Sequence, residues 1–183
     1  MPLQERRHRV FFALWPDLET AEHLHALAGN LVAHASVPGR LSAERNLHMT
    51  LAFVGSVDDL MLARLTDSAA GLAVDSVLVT LDELGFWPRG GVVYAACRNT
   101  GPLHHAFSAC ALLLDELGVH REHRSPVPHV TLARNVRGVK LPRLGEPISW
   151  VANELSLVAS ELRPSGARYR TLASWPMLST DDD

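Results

Sequence analysis

The hydrophobic pattern of the first 31 residues predicts a buried strand followed by an amphipathic helix. Residues 10–14 (VFFAL) form a short apolar run that ends at Trp15-Pro16, which favours a buried strand. From Asp17, apolar residues recur at spacings of three and four up to Leu31, with charged residues between them. Asp17 belongs to a residue type that caps helices, so we expect the helix to begin directly after it.

A second strand and a second helix are predicted further along the first half of the chain. Residues 46–55 read NLHMTLAFVG, an apolar segment of strand length that contains one histidine and one threonine. Asp58 and Asp59 can cap a helix over residues 60–72. Residues 77–81 alternate as in a half-buried strand.

The second half repeats the order of the first. After the turn signal PRGG, residues 92–97 (VVYAAC) are predicted to form a strand. Apolar positions from Leu103 to Leu117 follow helical spacing, and Gly118 is placed to close that helix. A polar loop then leads to a second apolar segment, HVTL, at residues 129–132.

Two alternating segments near the C-terminus predict a final hairpin. Residues 155–159 and residues 169–173 alternate between apolar and polar positions, and Pro164-Ser165-Gly166 between them supplies turn residues. The acidic tail at residues 181–183 is expected to fray.

The spacing of the two HxTL segments suggests two copies of one unit. The motif histidine follows the start of the strand that opens its half by 38 residues in the first half and by 37 in the second. We therefore expect residues 1–183 to form a single domain with two similar lobes, which carry motifs at 48–51 and 129–132. Accidental similarity of two strand–helix units is the competing explanation.

Each motif places a histidine and a threonine on one face of its strand. Residues two apart in a strand point the same way, so His48 and Thr50 share a face, as do His129 and Thr131. If the copies pack with twofold symmetry, both faces border one groove. Two imidazoles could act there as acid and base on a phosphorus centre, while the hydroxyls donate hydrogen bonds to its non-bridging oxygens. Such chemistry requires no metal.

The other face of the first motif strand is expected to pack into the core through Met49, Leu51 and Phe53. A lone histidine in a strand more often satisfies a buried backbone group than performs catalysis. The duplication of the motif favours the catalytic interpretation.

Composition and charge narrow the class of protein. A hydrophobic content of 47% is ample for a packed core, and a formal charge of -3 does not predict a surface that coats nucleic acid. A nucleic-acid substrate would therefore be held at an end or at a single phosphate. Two cysteines without CxxC spacing argue against a disulfide scaffold. Without a signal-like or membrane-spanning apolar run, we expect a cytoplasmic monomer that does not associate with membranes.

The segments HMTLAFVG and PHVTLAR resemble the paired HxTx motifs of the 2H phosphoesterase superfamily. From RVFFALWP to GARYRTLASWP, nearly the whole chain resembles the bacterial and archaeal RNA 2′,3′-cyclic phosphodiesterases, once called 2′-5′ RNA ligases. The resemblance implies an α+β fold of two pseudo-symmetric lobes, each an antiparallel sheet with helices outside, around a central V-shaped cleft. It also implies opening of a terminal RNA 2′,3′-cyclic phosphate to a 2′-phosphate, without a cofactor.

The resemblance also implies a role for each site residue. His48 would be the proton donor to the departing 3′ oxygen, and His129 would be the proton acceptor that activates water. Thr50 and Thr131 would hold the phosphate. Arg134, five residues after the second histidine, matches a family arginine that contacts the phosphate, and guanidinium groups suit phosphate geometry. The order of acid and base rests on the resemblance.

Other polar residues admit further interpretations. His120, His123 and His129 could form a metal site, although no cysteine or HExxH pattern supports one. Arg163, Arg168 and Arg170 flank the final hairpin, where they could steer an RNA end or simply form a solvated rim. Relatives often carry an aromatic residue shortly before the first motif, where this chain has GRLS at residues 39–42.

The residues leave alternative functions open. A module that binds RNA ends or nucleotides would use the same cleft, although binding alone would not need two proton-transfer groups. A cyclic phosphodiesterase for small nucleotides, such as ADP-ribose cyclic phosphate, would use the same chemistry. Ligation by the reverse reaction is possible in principle, because the same transition state serves both directions.

Overall fold

The computed structural model describes residues 6–120, 127–163 and 166–179, which contain ten β-strands, three α-helices and two short 3-10 helices. The helices are α1 (Leu18–Val32), α2 (Asp59–Ala69) and α3 (His104–Glu116). The strands are β1 (His8–Leu14), β2 (Arg40–Leu41), β3 (Met49–Val57), β4 (Val77–Leu81), β5 (Glu83–Trp87), β6 (Val92–Ala96), β7 (His129–Arg134), β8 (Ile148–Ala152), β9 (Glu154–Arg163) and β10 (Gly166–Pro176).

Eight of these strands form one antiparallel sheet. The order is β10-β9-β1-β3-β7-β6-β5, and β2 also pairs with β7. β4 and β8 form a separate two-stranded sheet. In each half, the motif strand (β3 or β7) lies beside the strand that opens the half (β1 or β6). The two halves therefore meet at their motif strands.

One described backbone pair, Met49 opposite Val130, joins β3 to β7. Beyond this pair β7 takes β2 as its partner, at Ala133 and Arg134, and the two motif strands separate. The predicted α+β fold of antiparallel sheets with helices outside is confirmed. The sheets of the two lobes are continuous through this junction.

Two helices cross from one half to the other. α1 follows β1 in sequence but packs against β7 and β8, and α3 precedes β7 but packs against β3. Each motif strand is therefore supported by the helix of the opposite half. One hydrophobic core contains side chains of both halves, among them Phe12, Leu51, Leu114 and Leu132.

Short polar side chains begin the first two helices. The Asp17 carboxylate accepts a hydrogen bond from the Thr20 amide at 2.8 Å, and the Asp58 carboxylate accepts one from Met61 at 2.8 Å. Both contacts satisfy amide groups that have no partner inside the helix. The predicted cap at Asp17 is confirmed, and α2 begins at Asp59 after a cap at Asp58.

Several elements differ from the sequence-based expectations. The hydrophobic pattern does not predict β5 or β8, and α2 ends at Ala69 rather than at residue 72. Gly118 closes α3 with a positive φ of 70°, as predicted. The hairpin turn at Pro164-Ser165 and the acidic tail lie outside the described residues.

Both cysteines lie in the hydrophobic core. Cys97 and Cys110 are buried free thiols. Burial raises the pKa of Cys97 to about 11 and that of Cys110 to about 12, so both remain protonated at neutral pH.

Within the described ranges, no helix combines the length and the apolar character needed to span a membrane.

Candidate active site

The junction between β3 and β7 determines which way the motif side chains point. Met49 and Val130 are fully buried, so the residues before and after each of them point to the opposite side of the sheet. Extended by one residue in each direction, the antiparallel register aligns His48 with Thr131 and Thr50 with His129. The four polar side chains of the motifs therefore share one face.

That face borders a cleft of about 680 Å³. The residues lining it include every residue singled out from the sequence as catalytic or phosphate-binding, namely His48, Thr50, His129, Thr131 and Arg134. The structure thus brings together side chains from two segments more than 75 residues apart in sequence. Their catalytic roles remain predictions.

Arg134 reaches the cleft because β7 contains a bulge. In a regular strand, Arg134 would face away from His129, since five residues separate them. The register between β6 and β7 jumps from Thr131 to Ala133, which leaves Leu132 as an extra residue. Leu132 and Ala133 are both buried, and Arg134 is exposed on the cleft side.

A matching bulge in β3 corrects the prediction for Phe53. The register between β1 and β3 skips Leu51 and then Val54, so the buried position moves from Phe53 to Val54. Phe53 is 49% exposed and lines the cleft, so its predicted place in the core is wrong. Phe53 stands five residues after His48, as Arg134 stands five residues after His129. The guanidinium of Arg9 lies 4.9 Å from the centre of the Phe53 ring.

His48 is half-buried among aromatic rings. Its imidazole centre lies 4.9 Å from Phe11, 5.3 Å from Trp15 and 4.9 Å from Tyr169. Burial lowers the pKa of His48 to about 4, and the positive charges of protonated His129 and of Arg134 act in the same direction. Nδ1 lies 2.7 Å from the carbonyl oxygen of Asn46, which can only accept. Nδ1 therefore carries a hydrogen, and Nε2 is left for chemistry.

His129 has an equivalent arrangement in the second half. Nδ1 donates a hydrogen bond to the carbonyl oxygen of Val127 at 2.7 Å. The rings of Trp87 and Tyr94 lie 4.7 Å and 5.6 Å from the imidazole. Burial, followed by the charge of Arg134, lowers the pKa of His129 below its ordinary value. Both imidazoles thus carry a hydrogen on Nδ1, and both have a lowered pKa.

Gly85 makes room for the ring that supports His129. Gly85 is paired with Tyr94 across β5 and β6, and a Cβ at Gly85 would collide with the Tyr94 ring. Without that side chain, the Tyr94 ring packs against Trp87, with centres 4.1 Å apart, and both rings reach His129. Sequence reasoning did not find these aromatic residues, because their strand positions carry no motif.

The cleft has a strongly positive lining. Five arginines line it, namely Arg9, Arg40, Arg45, Arg134 and Arg168, and none of the described lining residues is Asp or Glu. Of the arginines considered near the final hairpin, Arg168 lines the cleft and Arg170 is exposed without lining it. The side chain of Arg163 lies outside the described part.

The metal-site alternative draws no support from the described side chains. His123 lies outside the described residues, and no group of three His, Cys, Asp or Glu side chains within them could hold a metal ion. The Nδ1 atom of His129 is already engaged with a carbonyl group.

Known proteins resemble this chain in sequence and in structure. The sequence model of the LigT-like phosphoesterases matches residues 14–94. An RNA 2′,3′-cyclic phosphodiesterase from Escherichia coli K12 is 30% identical over 174 residues, which cover 92% of this chain and 96% of that protein. A protein of the same name from Aeropyrum pernix is 28% identical, over 77% of this chain and 88% of its own.

Solved structures extend the likeness to the fold. A crystal structure of E. coli LigT complexed with 3′-AMP superposes with a TM-score of 0.85 and 28% identity, covering 94% of this chain and 99% of that one. A structure of E. coli LigT complexed with phosphate gives a TM-score of 0.78 over 96% of this chain and 99% of that one, again at 28% identity.

Proposed function

The chain belongs to the LigT-like phosphoesterase family, and on that premise we propose that it hydrolyses a terminal 2′,3′-cyclic phosphate of RNA to a 2′-phosphomonoester. In this reaction, the oxygen of water bonds to phosphorus and the bond from phosphorus to the 3′ oxygen breaks. One group must accept a proton from water, and another must donate a proton to the 3′ oxygen.

The orientation of the two histidines is the observation that carries the proposal. Each imidazole donates Nδ1–H to a main-chain carbonyl group, which fixes the tautomer and leaves Nε2 available toward the cleft. We assign His129 as the proton acceptor that activates water and His48 as the proton donor to the 3′ oxygen. Both histidines present the same tautomer, so the hydrogen bonds do not distinguish the acid from the base. The order is taken from the family resemblance.

Thr50, Thr131 and Arg134 are assigned to the phosphate. The aligned motif strands place one hydroxyl beside each histidine, where it can donate to a non-bridging oxygen as negative charge builds up there. Arg134 supplies a planar guanidinium that can bind two phosphate oxygens at once. These side chains account for both the proton transfers and the charge, so the proposed mechanism uses neither a metal ion nor a cofactor.

The lowered pKa of His48 sets a condition on its role as donor. At a pKa of about 4, His48 is neutral at pH 7 before substrate binds. A phosphodiester carries a negative charge, and an opposite charge within about 6 Å favours the protonated imidazole. The proposed donor is therefore charged by the binding of its own substrate.

The decisive experiment is hydrolysis of an oligonucleotide that ends in a 2′,3′-cyclic phosphate, with the product isomer identified. We expect a 2′-phosphate product, and undiminished activity after dialysis against EDTA. His48→Ala and His129→Ala should each lower kcat by at least about 100-fold, the usual scale of acid–base catalysis. His104→Ala, at an exposed position on the first turn of α3, is the matched control.

Each contrary result points to a specific alternative. Tight binding without turnover would identify a module that binds RNA ends. Turnover of cyclic mononucleotides but not of oligonucleotides would identify an enzyme for small nucleotides. Activity lost on chelation and restored by zinc would contradict the two-histidine mechanism.

A further inference from the structure

We propose that Arg40, Arg45 and Arg168, the rim arginines, form a second phosphate subsite that binds internucleotide phosphates upstream of the reacting one. This inference rests on the proposed function and adds to it a reason for the enzyme to prefer an RNA chain over a small nucleotide. The ligand class is single-stranded polynucleotide.

The charge of the cleft is the first observation. The chain has a formal charge of -3, yet five arginines line one concave surface. Within the described ranges, none of the five forms an ion pair with a carboxylate. Like charges around a low-dielectric cleft create a local positive potential that attracts polyanions. The surplus exceeds what one cyclic phosphate, with a single negative charge, would neutralise.

The arginines differ in their relation to the histidines. Arg134 lies close enough that its charge lowers the pKa of both His48 and His129. Arg9 lies over the Phe53 ring. The rim arginines come from two other segments, one at residues 40–46 and one at the start of β10. They line the same cleft from segments other than the motif strands, and the proposed function assigns the reacting phosphate to Arg134 rather than to them.

The position of Arg40 connects the two walls of the cleft. Its backbone is paired with that of Arg134 on β7, in the second half. Its guanidinium lies against Gly166 at the start of β10, where a Cβ atom would stand 2.8 Å from Cζ. The amide of Asn46 donates to the carbonyl oxygen of Ala167 at 3.0 Å, which ties the same two segments together. The Arg40 guanidinium thus lies beside the first residue of the strand that carries Arg168, and both arginines line the cleft with Arg134.

This geometry suits an RNA strand whose upstream nucleotides run from the reacting phosphate toward β10. Arginine binds phosphate through its planar fork without regard to the base, so such a subsite would add affinity without base preference. A cyclic mononucleotide without other phosphates leaves the rim arginines unpaired, while an oligonucleotide offers a phosphate at every step. The subsite therefore predicts a preference for length.

A triple variant tests the subsite by kinetics. For wild type, we expect kcat/KM for a ten-nucleotide RNA ending in a 2′,3′-cyclic phosphate to exceed that for the cyclic mononucleotide of the same base by at least about tenfold. In the Arg40→Gln, Arg45→Gln, Arg168→Gln protein, this ratio should fall close to one, while activity on the mononucleotide stays within about twofold. The slope of log kcat/KM against log salt should become shallower by up to about 2 for the oligonucleotide.

The matched control removes the same charge elsewhere. Arg64, Arg89 and Arg143 are exposed and do not line the cleft, so their triple replacement by Gln should leave the length preference intact. Thermal unfolding and circular dichroism establish that both triple variants are folded. The single variant Arg40→Gln should lose part of the length preference. It takes the place of the triple variant in the test if the triple variant does not fold.

Several results would overturn the subsite. One is an unchanged length preference in the rim variant, and another is an equal loss of kcat/KM on both substrates. A third is a cyclic mononucleotide with a 5′-diphosphate whose kcat/KM equals that of the ten-nucleotide RNA. If wild type hydrolyses neither substrate, the proposed function fails. Fluorescence anisotropy with a labelled oligonucleotide ending in 2′-phosphate then still tests the subsite, which requires weaker binding by the rim variant than by the control.

Discussion

Both motif histidines lie where a charged imidazole is unfavourable. Aromatic rings displace water around His48 and His129, and Arg134 adds a positive charge beside both. The phosphodiester that they are proposed to act on has the opposite charge. Protonation of the histidines is therefore expected to be coupled to binding of the substrate.

We predict that kcat/KM reaches its maximum at a lower pH than kcat. The profile of kcat/KM reports the free enzyme, in which the pKa of His48 is about 4 and that of His129 is also lowered. One imidazole must be protonated and one neutral, so the optimum of kcat/KM should lie below pH 6.5. The bound anion raises both pKa values and moves the optimum of kcat upward. Steady-state kinetics over a pH series measure both profiles.

A variant that removes the charge of Arg134 tests the direction in which this charge shifts the pKa values of the two histidines. Arg134→Gln removes a positive charge that lowers the pKa of both histidines, so its kcat/KM profile should shift to higher pH even though its activity is reduced. An unshifted profile, or coincident optima for kcat and kcat/KM in the wild type, would contradict the proposed coupling.

At the scale of elements, bulges in the two motif strands determine the lining of the cleft. One extra residue after each HxT segment rotates the next side chains by one position, which brings Phe53 and Arg134 to the cleft side. The extra residues, Leu51 and Leu132, are buried. Equivalent positions in the two halves thus carry different chemistry, an aromatic ring in one and a guanidinium in the other.

The helix that covers β7 depends on its cap. Asp17→Ala should lower the free energy of unfolding by about 1 kcal/mol at pH 7, because the Thr20 amide loses its acceptor. The hydrogen bond with Thr20 holds the pKa of Asp17 below its ordinary value. This contribution is present above the pKa of the unfolded chain and is lost as the pH falls through the lower folded value. Urea unfolding at pH 7 and at pH 3 measures the difference.

The conservative variant Asp17→Asn keeps a side-chain acceptor and should change stability by only a few tenths of a kcal/mol at pH 7. Equal destabilisation by Asn and Ala would mean that the negative charge, rather than the hydrogen bond, stabilises α1.

At the scale of the molecule, the two halves share one main hydrophobic core. α1 supports the motif strand of the second half, and α3 supports that of the first. The cleft lies where the halves meet, so the relative position of the two histidines depends on packing that both halves share. This arrangement makes the single-domain prediction for residues 1–183 testable.

We predict one cooperative unfolding transition for the whole chain. Leu132→Ala should lower the free energy of unfolding by about 2–5 kcal/mol, since Leu132 is fully buried. Because the core is shared, Leu51→Ala in the other half should shift the same single transition. Coincident curves by circular dichroism and tryptophan fluorescence, with equal calorimetric and van't Hoff enthalpies, provide the check. Two separate transitions would show that the lobes are independent domains.

The sequence by itself determined the elements with strong local signals and the identity of the reactive groups. The helices α1 and α3 follow from apolar spacing, and the Asp17 cap follows from its side-chain chemistry. The alternation of His48 with Thr50, and of His129 with Thr131, follows from the two-residue period of a strand. Each of these inferences needs only neighbours within a few residues.

Tertiary structure decided what depends on pairing between distant strands. The bulges at Leu51 and Leu132 exist only in register with β1 and β6, so no local pattern could place Phe53 in the cleft, and only the family resemblance pointed to Arg134. The aromatic surroundings of His48, which lower its pKa to about 4, likewise come from strands far apart in sequence. A chain specifies its local periods by itself, but the burial and charge that a side chain meets depend on how the whole chain packs.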